Sequence, residues 1–96
     1  MIDAKYEEKT ALQVACFEGH YAITEVLVKN GADVNIQNDQ HEAAIHFAVT
    51  GKETKILKLL TENKANVNLT NSKSQTALHI AVKNLNVDAC KILIQK

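Results

Sequence analysis

Four histidines and two cysteines are the side chains of this 96-residue chain best able to do chemistry. Their spacing restricts what that chemistry can be. A zinc or related site needs three or four convergent ligands, often two His one helical turn apart or paired Cys. His20, His41, His46 and His79 include no i, i+4 pair, and Cys16 and Cys90 stand alone, so neither a metal nor a cofactor is expected. A nucleophilic Cys/His pair would need an activated thiolate. Both cysteines fall on apolar helix faces, where a thiol stays protonated and packs as a small hydrophobe. The chain therefore reads as noncatalytic.

Two of the histidines occupy equivalent places. His46 is fourth in "AAIHFAV" (Ala43 to Val49) and His79 is fourth in "TALHIAV" (Thr76 to Val82). A third segment of the same shape, "TALQVAC" (Thr10 to Cys16), has Gln13 there, so any role for this place must suit a carboxamide as well as an imidazole.

These segments belong to a longer repeat. Shifting the chain by 33 residues aligns 10–42 with 43–75 without a gap, with identities that include Ala11/Ala44, Ala15/Ala48, Leu27/Leu60, Asn30/Asn63, Val34/Val67, Asn35/Asn68 and Asn38/Asn71. A third copy runs from 76 to 96 and stops before any loop, and residues 1–9 read as part of a preceding loop. Within each unit the apolar spacing is helical. Leu12, Ala15 and Cys16 share a face of one short helix, and Ile23, Val26 and Leu27 share a face of a second. Thr10 and Thr76 suit helix N-caps, "EGHY" (Glu18 to Tyr21) supplies a glycine turn, and Asn30–Gly31 forms a C-terminal stop. A unit of helix, turn, helix and long loop is too small to bury its own apolar face, so the units must stack and share a core. The recurring alanines mark where two backbones approach closely.

Composition narrows the partners. Apolar content of 46% and charged content of 23% are ordinary for a globular chain. Eleven lysines and no arginine balance eleven acids, which leaves no cationic face for nucleic acid. No apolar run nears the ~20 residues of a membrane span. With two isolated cysteines and no signal-like start, a reducing, cytoplasmic setting is expected.

The 33-residue period, "TALHIA" and "GADVN" (Gly31 to Asn35) resemble the ankyrin repeat, whose motif is T-P-L-H-x-A. The resemblance covers essentially the whole chain. It implies an all-α ankyrin-repeat solenoid of three stacked helix-turn-helix units with projecting loops, 1–96 forming a single domain. It also implies that His46 and His79 hydrogen-bond to neighbouring loop backbone and tie adjacent units together. Departures from the motif are Ala11, Ala44 and Ala77 in place of Pro, Ala43 in place of Thr and Gln13 in place of His. The usual turn glycine is replaced by Glu8, His41 or Ser74, which argues against sharp loop turns, above all at Glu8. More narrowly, "AVTGKE" (Ala48 to Glu53), "TNSKSQTALHIAV" (Thr70 to Val82) and "TALQVA" are similar to the ankyrin segment of the Mind bomb E3 ubiquitin ligases, whose other modules act on Notch ligands. No RING-type cysteine set is present, so ligase chemistry would belong to the rest of such a parent.

The resemblance implies a protein-binding module, and its exposed variable places are the candidate contacts. In the first unit they are Tyr6, Glu7, Lys9, Phe17 and Glu18. The second supplies Gln37, Asp39, Gln40, Glu42 and Thr50, and the third Thr70, Ser72, Lys73, Gln75, Lys83 and Asn84. Tyr6 and Phe17 are aromatic anchors of the kind that concentrate interface energy, although Phe17 could equally cover the place of a missing preceding unit. "LVKNGADVN" (Leu27 to Asn35) resembles the loop in which an asparaginyl hydroxylase modifies its target, which would make Asn35 an acceptor; an Asn retained for turn hydrogen bonds is the structural alternative. Lys52, Lys55 and Lys58, interleaved with Glu53 and Glu62, read as a solvated outer face. A structural spacer between modules of a larger protein is the competing function. Ile92 and Ile94 near Lys96 suggest a chain that continues. Both ends lack polar capping repeats, so end-to-end association is expected of the isolated chain.

Overall fold

The computed structural model describes residues 2–3, 5–6, 9–51 and 53–95. Its helices fall into three pairs: α1 (Ala11–Glu18) with α2 (Tyr21–Lys29), α3 (Ala44–Thr50) with α4 (Thr54–Glu62), and α5 (Ala77–Lys83) with α6 (Val87–Ile94). Helices of seven to nine residues are marginal by themselves, so packing must hold them. The first members form one row, α1 on α3 on α5, and the second members form another, α2 on α4 on α6. The middle pair is covered from both sides, and Ile56, Leu57 and Leu60 of α4 have no exposed surface. An all-α repeat stack is thus the architecture.

Local chemistry starts and stops these helices. The Thr10 hydroxyl accepts from the Gln13 N–H at 3.2 Å, and the Thr76 hydroxyl accepts from that of His79 at 3.3 Å. Gly19 ends α1 at φ +78, a left-handed conformation that glycine adopts without cost. Asn30 and Asn63, one repeat apart, end α2 and α4 by donating their carboxamides to Val26 O at 2.7 Å and Leu59 O at 2.8 Å. Gly51 does something different. Its φ is −73, and a Cβ there would lie 3.2 Å from Cys16 O, so the glycine admits close approach of the neighbouring unit's backbone.

Three expectations are corrected. Ile23 and Val26, assigned to the buried stripe of α2, are 53% and 59% exposed, while Thr24 between them is fully buried and donates its hydroxyl to His20 O at 2.8 Å. Those two side chains look away from the following unit, and no described unit lies on that side. Ala11 is exposed for the same reason, whereas Ala44 and Ala77 at the matching place are buried in seams.

The third correction concerns the loop turns, which form sharply without glycine. His41 and Ser74 take positive φ of 57° and 60°, and each N–H closes a turn on the carbonyl three residues back, Asn38 O at 2.9 Å and Asn71 O at 3.0 Å. Left-handed backbone costs a non-glycine residue roughly 1–2 kcal/mol. Side chains offset that cost: Asn38 Oδ1 accepts from the N–H groups of Gln40 and Glu42, both at 2.9 Å, and Asn71 Oδ1 accepts from those of Lys73 and Gln75 at 2.9 and 3.0 Å. Before α1, β1 (Lys5–Tyr6) pairs antiparallel with β2 (Lys9–Thr10) in a two-residue ladder; Glu8 lies outside the described residues.

Candidate functional site

The repeated fourth place holds two seams together, at Gln13 and His46; His79, expected to do the same, is exposed and among the described residues bonds only to Thr76 of its own unit, its Nδ1 accepting from the Thr76 N–H at 3.0 Å. His46 Nδ1 accepts from the Ala43 N–H at 3.0 Å, and its Nε2 lies 3.1 Å from Leu69 O and 3.3 Å from Gln75 O. Two carbonyl partners require a donor, so the ring is neutral with its proton on Nε2. Gln13 reproduces the pattern atom for atom. Its Oε1 accepts from the Thr10 N–H at 3.0 Å, and its Nε2 donates to Ile36 O at 2.8 Å and Glu42 O at 3.3 Å, carbonyls one repeat before Leu69 and Gln75. An imidazole and a primary carboxamide each place an acceptor and a donor at opposite ends of a planar group, which is why the two alternate here.

Burial pushes the His46 pKa below its ordinary value of 6.5, against the raising influence of the Gln75 and Leu69 carbonyls and of the Glu42 charge. Protonation would also set a second N–H against the Ala43 N–H. Because the folded pKa is depressed, the unfolded chain binds this proton more readily, so the contribution is complete above pH 6.5 and is lost as pH falls from there toward the lowered folded value. Urea unfolding between pH 5 and 7.5 is expected to show stability rising with pH, by at most about 1.4 kcal/mol per unit from this group. His46→Gln is expected to remove that component of the slope.

The cysteines are free. Cys16 is buried between α1 and its neighbours, and desolvation pushes its thiol up to about 12 despite a hydrogen bond with Thr24. Cys90 is half-buried on the open side of α6. Iodoacetamide at pH 8 is expected to label Cys90 in the folded protein and Cys16 only after unfolding, which mass spectrometry of the alkylated peptides reads directly. Native-state labelling of Cys16 would contradict the packing.

The candidate contact residues divide into three groups. Gln40, Glu42, Thr50, Ser72, Lys73, Gln75, Lys83 and Asn84 meet in one cleft of about 250 Å³ between the second and third units, completed by Asn71 and Ile80. Its walls are ordered by hydrogen bonds: Ser72 N–H donates to Gln40 O at 2.8 Å, the Asn38 carboxamide donates to Glu42 Oε1 at 3.1 Å, and the Thr50 hydroxyl donates to Phe47 O at 2.9 Å. Lys73 and Lys83 are exposed and make no ion pair among the described residues. Asp39 is exposed on the turn beside Gln40.

A second group lies apart from the cleft. Gln37 is spent on structure, its carboxamide donating to His41 O at 2.7 Å and across to Thr70 O at 3.0 Å, which ties successive loops. Phe17 is half exposed, and its ring meets Phe47 of the following unit edge-on at 6.1 Å. Its ring therefore packs forward onto the second unit. Beside it Glu18 is exposed and engages His20 at 3.2 Å. The third group precedes α1: Tyr6 and Lys9 contribute backbone to the short ladder, and Glu7 lies outside the described residues.

Asn35 is a clasp. Its Nδ2 donates to Lys64 O at 3.2 Å and its Oδ1 accepts from the Asn66 N–H at 2.8 Å, so modification of this carboxamide would require both bonds to the next loop to open. Sequence reasoning did not assign roles to Asn38 and Asn71, which shape the cleft. Their identity one repeat apart was the available signal.

Stacked helical hairpins, seams closed by a recurrent His or Gln, and Asn-built loop turns over a polar cleft together define a repeat solenoid. Residues 31–96 match the family described as "Ankyrin repeats (3 copies)", and residues 7–39 match "Ankyrin repeat". The chain belongs to the ankyrin-repeat family, whose repeats typically serve as noncatalytic protein-protein interaction modules. Among curated proteins none matches the chain.

Proposed function

We propose that this chain binds a segment of another protein in the cleft between its second and third units. The observation that carries the reading is the convergence of eight sequence-variable positions in one preordered groove. Loops already stitched to each other lose little conformational freedom on binding, so a contact of modest area suffices. The exposed ammonium groups of Lys73 and Lys83, which make no ion pair among the described residues, beside the carboxamides of Gln40, Gln75 and Asn84 suit an extended segment that carries a carboxylate and exposed backbone amides. A reducing, cytoplasmic setting accords with two unlinked cysteines.

Selection of a random-peptide library against the immobilised protein tests this. Peptides enriched in Asp or Glu are expected, with affinity for the Lys73→Glu/Lys83→Glu variant reduced about tenfold or more and affinity for an outer-face Lys55→Glu/Lys58→Glu control unchanged. Equal binding by both variants would leave the spacer role as the better account.

The Mind bomb-type reading would make this module one part of a ubiquitin ligase acting on Notch ligands. It is supported by the likeness of Ala48–Glu53, Thr70–Val82 and "TALQVA" (Thr10 to Ala15). The sequence of the full-length parent tests it: absence of zinc-binding cysteine sets there would end this reading.

A further inference from the structure

We propose that Asn30 is a site of spontaneous deamidation, gated by the hydrogen bonds that close the end of α2. Asn30 is followed by Gly31, and no other asparagine of the chain precedes a glycine. Glycine has no side chain to shield its own nitrogen, so that nitrogen can reach the preceding carboxamide. It gives up its proton to hydroxide and attacks Cγ of Asn30; the N–Cγ bond forms, the Cγ–Nδ2 bond breaks, and the carboxamide nitrogen takes a proton from water and leaves as ammonia. One water molecule then opens the resulting five-membered imide. Opening at Cγ gives aspartate, and opening at the backbone carbonyl gives isoaspartate. Both residues are exposed, and no described residue beyond the chain neighbours comes within 4 Å of where a Cβ of Gly31 would stand, so water and base reach the bond.

The fold holds this reaction back. The imide ring needs the Gly31 nitrogen on the Cβ side of the Asn30 Cα–C bond, but at ψ 17° that nitrogen nearly eclipses the nitrogen of Asn30 itself. The peptide plane must therefore turn first. Turning it pulls the Gly31 N–H from Val28 O at 3.1 Å and the Ala32 N–H from Leu27 O at 3.1 Å, and the attack also takes the Asn30 carboxamide off Val26 O at 2.7 Å. Asn63, one repeat on, makes the matching bond to Leu59 O but is followed by Lys64, and Asn71 is pinned through both polar atoms of its carboxamide. The products cannot restore the cap. Ionised aspartate at 30 has no proton to donate to Val26 O and sets a negative charge at the C-terminus of α2, against the helix dipole. Isoaspartate lengthens the main chain by one carbon just where Gly31, at φ +92°, turns back so that Ala32 and Val34 enter the core. The damage reaches the first seam, because Ile36 O, further along this loop, accepts from Gln13.

Peptide mapping by mass spectrometry after incubation of the full chain at pH 8 tests the proposal. The peptide that holds Asn30 is expected to gain the mass of an amide-to-acid exchange, as a mixture of aspartate and isoaspartate, about tenfold or more faster in guanidinium chloride than in the folded protein. Lys29→Gly changes an exposed side chain in the last turn of α2 and should speed the folded-state reaction about fivefold by loosening that turn, with the rate in guanidinium chloride unchanged. Gly31→Ala, measured in guanidinium chloride where the strain of a positive φ is absent, should lose most of the reaction. Product at Asn30 no faster than at Asn63 and Asn71 in the unfolded chain, equal rates at Asn30 in the folded and unfolded chain, or a folded Lys29→Gly protein that reacts at the wild-type rate would each overturn it.

Discussion

His46→Gln is expected to leave the protein within about 1 kcal/mol of wild-type stability, whereas His46→Ala is expected to remove about 3 kcal/mol or more. Gln13 supplies the reason. It makes the same three bonds to the same backbone places one repeat earlier, so a carboxamide at 46 can accept from the Ala43 N–H and donate to Leu69 O and Gln75 O. Alanine leaves that N–H and the Leu69 carbonyl without these partners at a site only 2% exposed, reduces Gln75 O to its bond from the Asn71 N–H at 3.0 Å, and opens a void where the ring was. The loss falls on the seam between the second and third units, which also forms one wall of the cleft. Chemical denaturation gives the two values, and the alanine variant should melt about 10 °C or more below wild type. If glutamine proved as damaging as alanine, the hydrogen-bond account of this place would fail.

The second large effect is expected at Leu60. Its side chain is fully buried in α4, which packs against both α2 and α6, so Leu60→Ala should cost about 3–5 kcal/mol, a large part of the ~5–10 kcal/mol that holds a domain of this size. Its paired control is Ile23→Ala. That substitution deletes the same amount of carbon but at a half-exposed place on the outer side of α2, and its expected effect is within about 0.5 kcal/mol. Urea midpoints separate the two. Comparable losses at both places would mean that the packed stripe of α2 is the one read from sequence and not the one built around Thr24.

The 33-residue period, the helix caps at Thr10 and Thr76, and the equivalence of Gln13, His46 and His79 were all determined by the sequence itself. Each depends on interactions within one repeat or on recurrence between repeats, and both are visible along the chain. The stacking of units followed as well, because no single unit carries enough apolar surface to stand alone. Which side of each helix is covered was decided by the tertiary structure. Ile23 and Ile56 are the same residue in the same register, yet one is half exposed and the other sealed, since only the second has a described unit on both sides. The sharp turns at His41 and Ser74 were equally hidden. Residue identity at those places opposes positive φ, and it is the Asn38 and Asn71 carboxamides, bonding to backbone N–H groups on the far side of each turn, that impose it. The cleft belongs to the same category. Its walls come from residues as far apart as Gln40 and Asn84, and only the folded stack brings their side chains to one place.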